Sequence, residues 1–79
     1  MPLDADELKE RIAELRGRWR AARDGRLSRK KDLLAGGMDA AGVRRDRTFR
    51  ALVKQQRRAG TLIRQLEKKL NRKIAREKE

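Results

Sequence analysis

Apolar residues recur in the first part of the chain at Leu8, Ile12, Leu15, Trp19 and Ala22. The steps of four, three, four and three residues are the repeat of a helix with one apolar stripe. In heptad terms Leu8, Leu15 and Ala22 take position d, and Ile12 and Trp19 take position a. Asp4 precedes the stripe and Glu7 follows three residues later, the order of a capping box with Asp in the cap. Asp6, Glu7 and Glu10 crowd the first turns, where the helix dipole favours negative charge. Glu7 with Arg11 and Glu14 with Arg18 add i,i+4 pairs. A first helix is predicted over about residues 5–34, strongest up to Ala22. Asp24-Gly25 leaves two readings for its second half. Either the chain turns there and Ser28 caps a short new helix, or the helix runs on to Leu34 with a weak point at Gly25. Leu27, Leu34 and Met38 keep helical spacing, which favours continuation.

The clear break is Ala35-Gly36-Gly37-Met38-Asp39. Either glycine can adopt the left-handed conformation that ends a helix, and Asp39 can cap the next one. A second seam then reads Phe49, Leu52, Gln56, Ala59, Ile63, Leu66 and Leu70. Val53, Gly60 and Ile74 at e, with Leu62 at g, widen this face beyond a two-stranded seam. The second helix spans about Asp46 to Arg76, or 40–77 if it starts at Ala40.

Two long amphipathic helices joined by a short glycine turn predict an all-α fold, an antiparallel coiled-coil-like hairpin forming one domain over 1–79. Pairing Leu8 with Leu66, Leu15 with Ala59 and Ala22 with Leu52 centres the turn on Gly37, although a register shifted by half a heptad also fits the break. One partner helix cannot cover the wide second face, so a homodimer or another protein is expected to complete it. Gly60 and Gly17 are read either as points of close helix approach or as tolerated defects.

Composition narrows the class. The chain has 79 residues, too few for a large core, and no Cys or His. Disulfides, Cys/His metal sites and imidazole catalysis are excluded on that count. The acids are scattered, no glycine loop cradles a phosphate, and no nucleophile has a base in reach by motif. A non-enzymatic protein is expected, with no metal, cofactor or small-molecule substrate. No stretch approaches the roughly 20 apolar residues of a membrane span. A cytoplasmic protein, with a nucleoid- or ribosome-associated setting in view, is the expectation.

The net charge of +12 points to a polyanionic partner. It is unevenly spread: residues 1–15 carry −3, residues 16–58 carry +11 and residues 59–79 carry +4. In a hairpin the middle segment is the half nearest the turn. Arg outnumbers Lys 16 to 8, and guanidinium grips phosphate oxygens in pairs. On the second helix Arg47, Arg50, Lys54, Arg57, Arg64 and Lys68 form a stripe opposite the seam. Arg58 stands beside it. Arg16, Arg18, Arg23 and Lys30 flank the first seam. Arg29-Lys30-Lys31 and Arg44-Arg45-x-Arg47 flank the turn. These are the candidate nucleic-acid-binding residues. No zinc-finger, RNP, KH or basic-zipper motif is present, so phosphate-backbone contact to DNA or RNA is expected rather than base reading.

The candidate helix–helix and oligomer interface is Leu8, Ile12, Leu15, Trp19, Phe49, Leu52, Val53, Ala59, Ile63, Leu66 and Leu70. Trp19 and Phe49, the only aromatics, could stack on bases, but their seam positions favour packing. Gln56 at a core position either fixes register or marks a wet layer. The competing function is a coiled-coil adaptor that binds protein through the wide second face. An anionic-membrane binder is weaker, because no bulky apolar residues are set beside the basic stripe.

Overall fold

The computed structural model describes residues 4–78; the ends of the predicted domain, 1–3 and 79, lie outside the described residues. Three helices follow in order: α1 (Ala5–Ala35), α2 (Ala40–Arg45) and α3 (Arg47–Glu77). The two long helices pack against each other as a hairpin about 59 Å long and 20 × 16 Å in section.

Each helix start is set by an aspartate. Asp4 Oδ1 accepts from the Glu7 N–H at 2.8 Å, Asp39 Oδ1 from Gly42 at 2.7 Å, and Asp46 Oδ1 from Phe49 at 2.8 Å. Each cap answers one of the amide donors that a helix start leaves without a partner. α1 ends at the predicted glycine pair. The Met38 N–H reaches Leu33 O and the Gly37 N–H reaches Leu34 O, both at 3.1 Å. Gly37 has φ +95°, which a residue bearing Cβ adopts only with strain. This is the Schellman ending.

Three sequence expectations are resolved. α1 runs unbroken through Asp24-Gly25. A Cβ at Gly25 would lie 3.3 Å from Leu52 Cδ2, so this glycine lets the helices approach rather than breaking one. Of the two readings for Gly17, close approach and tolerated defect, the second holds: nothing lies within 4 Å of a Cβ position there, on the solvent side of α1. The second long helix does not run from 40 to 77 in one piece. Both of its candidate starts are used: Ala40 opens α2, and Asp46, extended at φ −62° and ψ 130°, closes α2 and caps α3. An N-cap must leave helical geometry for its carboxylate to reach its own third amide, so α2 and α3 cannot be collinear.

Across the seam Trp19 lies beside Gly60 and Leu52 beside Gly25, while Leu15, Ala22, Leu52 and Ala59 border one trough.

The core is lopsided. Leu8, Ile12, Leu15 and Ala22 of α1 are buried, with Val43 of α2, but α3 buries only Ala59. Trp19, Phe49, Leu52, Val53, Ile63, Leu66 and Leu70 are half-buried, and Leu62 is exposed. The narrow stripe of α1 is covered by the broader face of α3, whose margins stay partly open. No helix among the described residues is long and apolar enough to cross a membrane.

Candidate nucleic-acid interface

The α1 seam turns polar in its second half. After Ile12 and Trp19 the next a position is Arg26, and after Ala22 the next d position is Arg29. Both guanidiniums find a partner from the other limb of the hairpin. Arg26 Nε donates to Gln56 Oε1 at 2.9 Å, so the polar core position on α3 meets a polar core position on α1. Arg29 donates from Nε to Asp46 Oδ1 at 3.1 Å and from Nη2 to Oδ2 at 3.0 Å. The Asp46 side chain is only 14% exposed. The Arg29 guanidinium, followed by the Phe49 N–H, holds its carboxyl below the ordinary value of 3.8. The same carboxylate raises the Arg29 guanidinium further above its usual range. Arg29 thus ties α1 to the α2–α3 corner, while its side chain stays 40% exposed.

Four further arginines have carboxylate partners. Arg11 Nη1 and Arg18 Nη2 both bond Glu14, at 3.1 and 2.8 Å. Arg16 Nη2 crosses to Glu67 at 2.9 Å. Arg23 bonds Asp24 at 3.2 Å and lies over the Trp19 ring, 5.1 Å from its centroid. All four pairs are exposed, so each is a weak constraint. Arg16, Arg18 and Arg23 therefore remain at the surface but are not idle.

The remaining predicted cations stand free. Arg47, Arg50, Lys54, Arg57, Arg64 and Lys68 are exposed and form no ion pair among the described residues. Steps of three or four residues, with one step of seven at Thr61, carry this stripe over roughly 32 Å of helix. Thr61, in the gap, turns its hydroxyl back to Arg57 O at 3.0 Å. α3 holds eleven bases and two acids, Glu67 and Glu77, so the stripe meets little opposing charge. Arg44 and Arg45, in the last turn of α2, extend it around the corner. Arg44, Arg45, Arg47, Arg50, Lys54 and Arg57 border one concavity of about 890 Å³ with Phe49 in its wall. Lys30 and Lys31 are exposed near the end of α1 and form no ion pair among the described residues, and Arg58 is exposed on the other flank of α3.

A second concavity of about 760 Å³ runs between α1 and α3, bordered by Trp19, Val53, Gln56, Gly60 and Ile63 and by Arg16, Arg20, Arg26, Arg57 and Arg64. Arg20 and Arg26 were not among the sequence candidates. Their signal was present: Arg26 lies one heptad after Trp19, and Arg20 follows Trp19 directly. The opposite side of the hairpin differs. There Leu15, Ala22, Leu52, Ala59 and Leu62 border an apolar trough of about 700 Å³, edged by Arg11, Arg18 and Arg58.

No family model matches the chain, and neither a curated protein nor a solved structure is significantly similar to it.

Proposed function

We propose that this hairpin is a non-enzymatic nucleic-acid-binding protein that grips the phosphate backbone of DNA or RNA through the outer face of α3 and the α2 corner. The observation that carries the reading is the free stripe. Six exposed bases on one helix face lack a carboxylate partner among the described residues. Helices that merely solvate themselves place acids among bases at i,i+4, as α1 does with Glu14 and α3 does not along this face. The roughly 32 Å length of the stripe is close to one turn of duplex, so its bases can follow a backbone. Little on that face reads base edges, so binding without strong sequence preference follows. Such a protein belongs in the cytoplasm, in a nucleoid- or ribosome-like setting.

Titration with duplex DNA and structured RNA at low and moderate salt tests the reading. Binding at low salt that weakens steeply as salt rises is expected, and no binding to either at low salt refutes it.

A second reading rests on the apolar trough. Leu62 stands 38% exposed beside Leu52 and Ala59, a surface that a helix of another protein or a second copy would cover. Sedimentation equilibrium distinguishes the two occupants: a homodimer that a Leu62→Glu change dissociates supports the second copy.

A further inference from the structure

Trp19 carries a hydrogen-bond donor that the fold leaves unused. Its ring is half-buried and its Nε1 edge lies beside Gly60, 3.6 Å from where a Cβ would stand. No protein acceptor takes the indole N–H, and no buried polar side-chain atom among the described residues lacks a partner, so this edge is open to solvent. Arg23 covers one face of the ring. A ligand therefore meets the edge, on the floor of the groove between α1 and α3.

Among the described residues the walls of that groove carry Arg20, Arg57 and Arg64 without any ion pair, and no carboxylate borders it. Its one amide acceptor, Gln56 Oε1, is already taken by Arg26. A pocket of donors and fixed positive charge with no vacant acceptor suits an oxygen-rich anion. The groove adjoins the concavity nearer the tip, since Val53 and Arg57 border both. Phe49 borders that second concavity. Both aromatic rings of the chain thus lie along one basic track, separated by roughly 16 Å of α3.

Shape selects among nucleic acids. Packed helices lie about 8–10 Å apart, so the trough between them admits a thin strand. A duplex is convex and would rest on the flanking side chains without reaching the Trp19 edge. We infer that this track seats a single nucleic-acid strand. Its phosphates take the Trp19 indole N–H with Arg20, Arg57 and Arg64, and its bases lie against Phe49 and the guanidinium planes. The inference rests on the nucleic-acid reading above and specifies its substrate.

Trp19 is the only tryptophan, so its emission reports the groove directly. The full chain is titrated with oligo(dT) of about 16 nucleotides, near the upper site size of a single-strand module, with the blunt duplex of equal length, and with inorganic pyrophosphate. Single strand is expected to change Trp19 emission and to bind at least about tenfold tighter than duplex. Arg20→Gln with Arg64→Gln should lower the salt slope for the strand by about 1.4, with helicity unchanged, but for the duplex by only about 0.9, because Arg64 alone of the two belongs to the α3 stripe. Duplex binding as tight as single strand, unchanged Trp19 emission on strand binding, or a double variant with full strand affinity overturns the single-strand seat. Pyrophosphate saturating the Trp19 signal where the oligonucleotide fails overturns it in favour of a free phosphoanion. Loss of all nucleic-acid binding at low salt instead sinks the broader reading beneath it.

Discussion

Neutralising Arg50, Lys54 and Arg57 to Gln gives a test whose size follows from the structure. These side chains lie on the outer face of α3, exposed and without ion-pair partners among the described residues. If each of the six free stripe bases meets one duplex phosphate, the slope of log K against log salt is about −5.4. Raising salt fourfold, from about 50 to 200 mM, then weakens binding by about 2,000-fold. With three bases removed the slope falls to about −2.7, and the same change in salt weakens binding only about 40-fold. Fluorescence anisotropy of a labelled duplex across that salt range measures both slopes. Folding supplies an independent control. Arg50 and Lys54 are four residues apart and Lys54 and Arg57 three, so these like charges repel across the helix surface. Removing them should leave the melting temperature unchanged or slightly higher. An unchanged slope in the folded variant refutes the assignment of the stripe. A fall in helicity would show that these side chains support the fold, contrary to the contacts described.

Other outcomes test the fold that holds the stripe. Leu15, 2% exposed at the centre of the α1 seam, should cost about 2–5 kcal/mol when changed to Ala, read by urea denaturation; a loss under about 0.5 kcal/mol would contradict its burial. Gly17→Ala should stabilise by up to about 1 kcal/mol, because the added Cβ meets open space and helix propensity improves. Gly37→Ala should destabilise, because φ is +95° there, and thermal melts of the two variants should move in opposite directions. Acid should weaken the hairpin. Asp46 and Asp4 titrate below their ordinary value of 3.8 in the folded chain, so their stabilisation is complete above that value and is lost as pH falls through the lower folded value. Glu7, pushed up by Asp4, opposes this weakly, since its contribution is present at low pH and fades as pH rises. Asp46→Asn should flatten the fall in melting temperature between pH 5 and 2, and an unaltered acid limb would show that the Arg29–Asp46 pair does not carry it.

The hairpin was legible because its signals are local and agree with one another. The Asp4 and Asp39 caps, the glycine pair and two seams of period 3.5 each state a boundary or a face within a few residues. What escaped depended on partners distant in sequence. Arg29 reads as one base in a basic run, and only the arrival of Asp46 from seventeen residues away turns it inward. Gln56 reads as an isolated polar defect until Arg26 stands opposite it. Gly25 reads as a weak point in a continuing helix, and its role in close approach stays hidden until the Leu52 side chain beside it is seen.

The same dependence decides how the charge should be understood. Sequence arithmetic placed the excess at the turn-proximal half, as though every base there were equal. Pairing divides those bases by helix. In α1, Glu14 and Asp24 pair with Arg11, Arg18 and Arg23, and Arg29 goes to the corner. α3 has few acids to spend, and Glu67 goes to Arg16. The free charge therefore runs along α3 and the mouth of the Trp19 groove as well as around the tip, where Lys30, Lys31, Arg44 and Arg45 are also exposed and without ion pairs among the described residues. A polyanion that met only the tip would leave Arg64 and Lys68 idle. One that lies along α3 engages the whole stripe, and this predicts that Arg64→Gln and Arg44→Gln weaken binding to similar extents although they lie at opposite ends of the basic track.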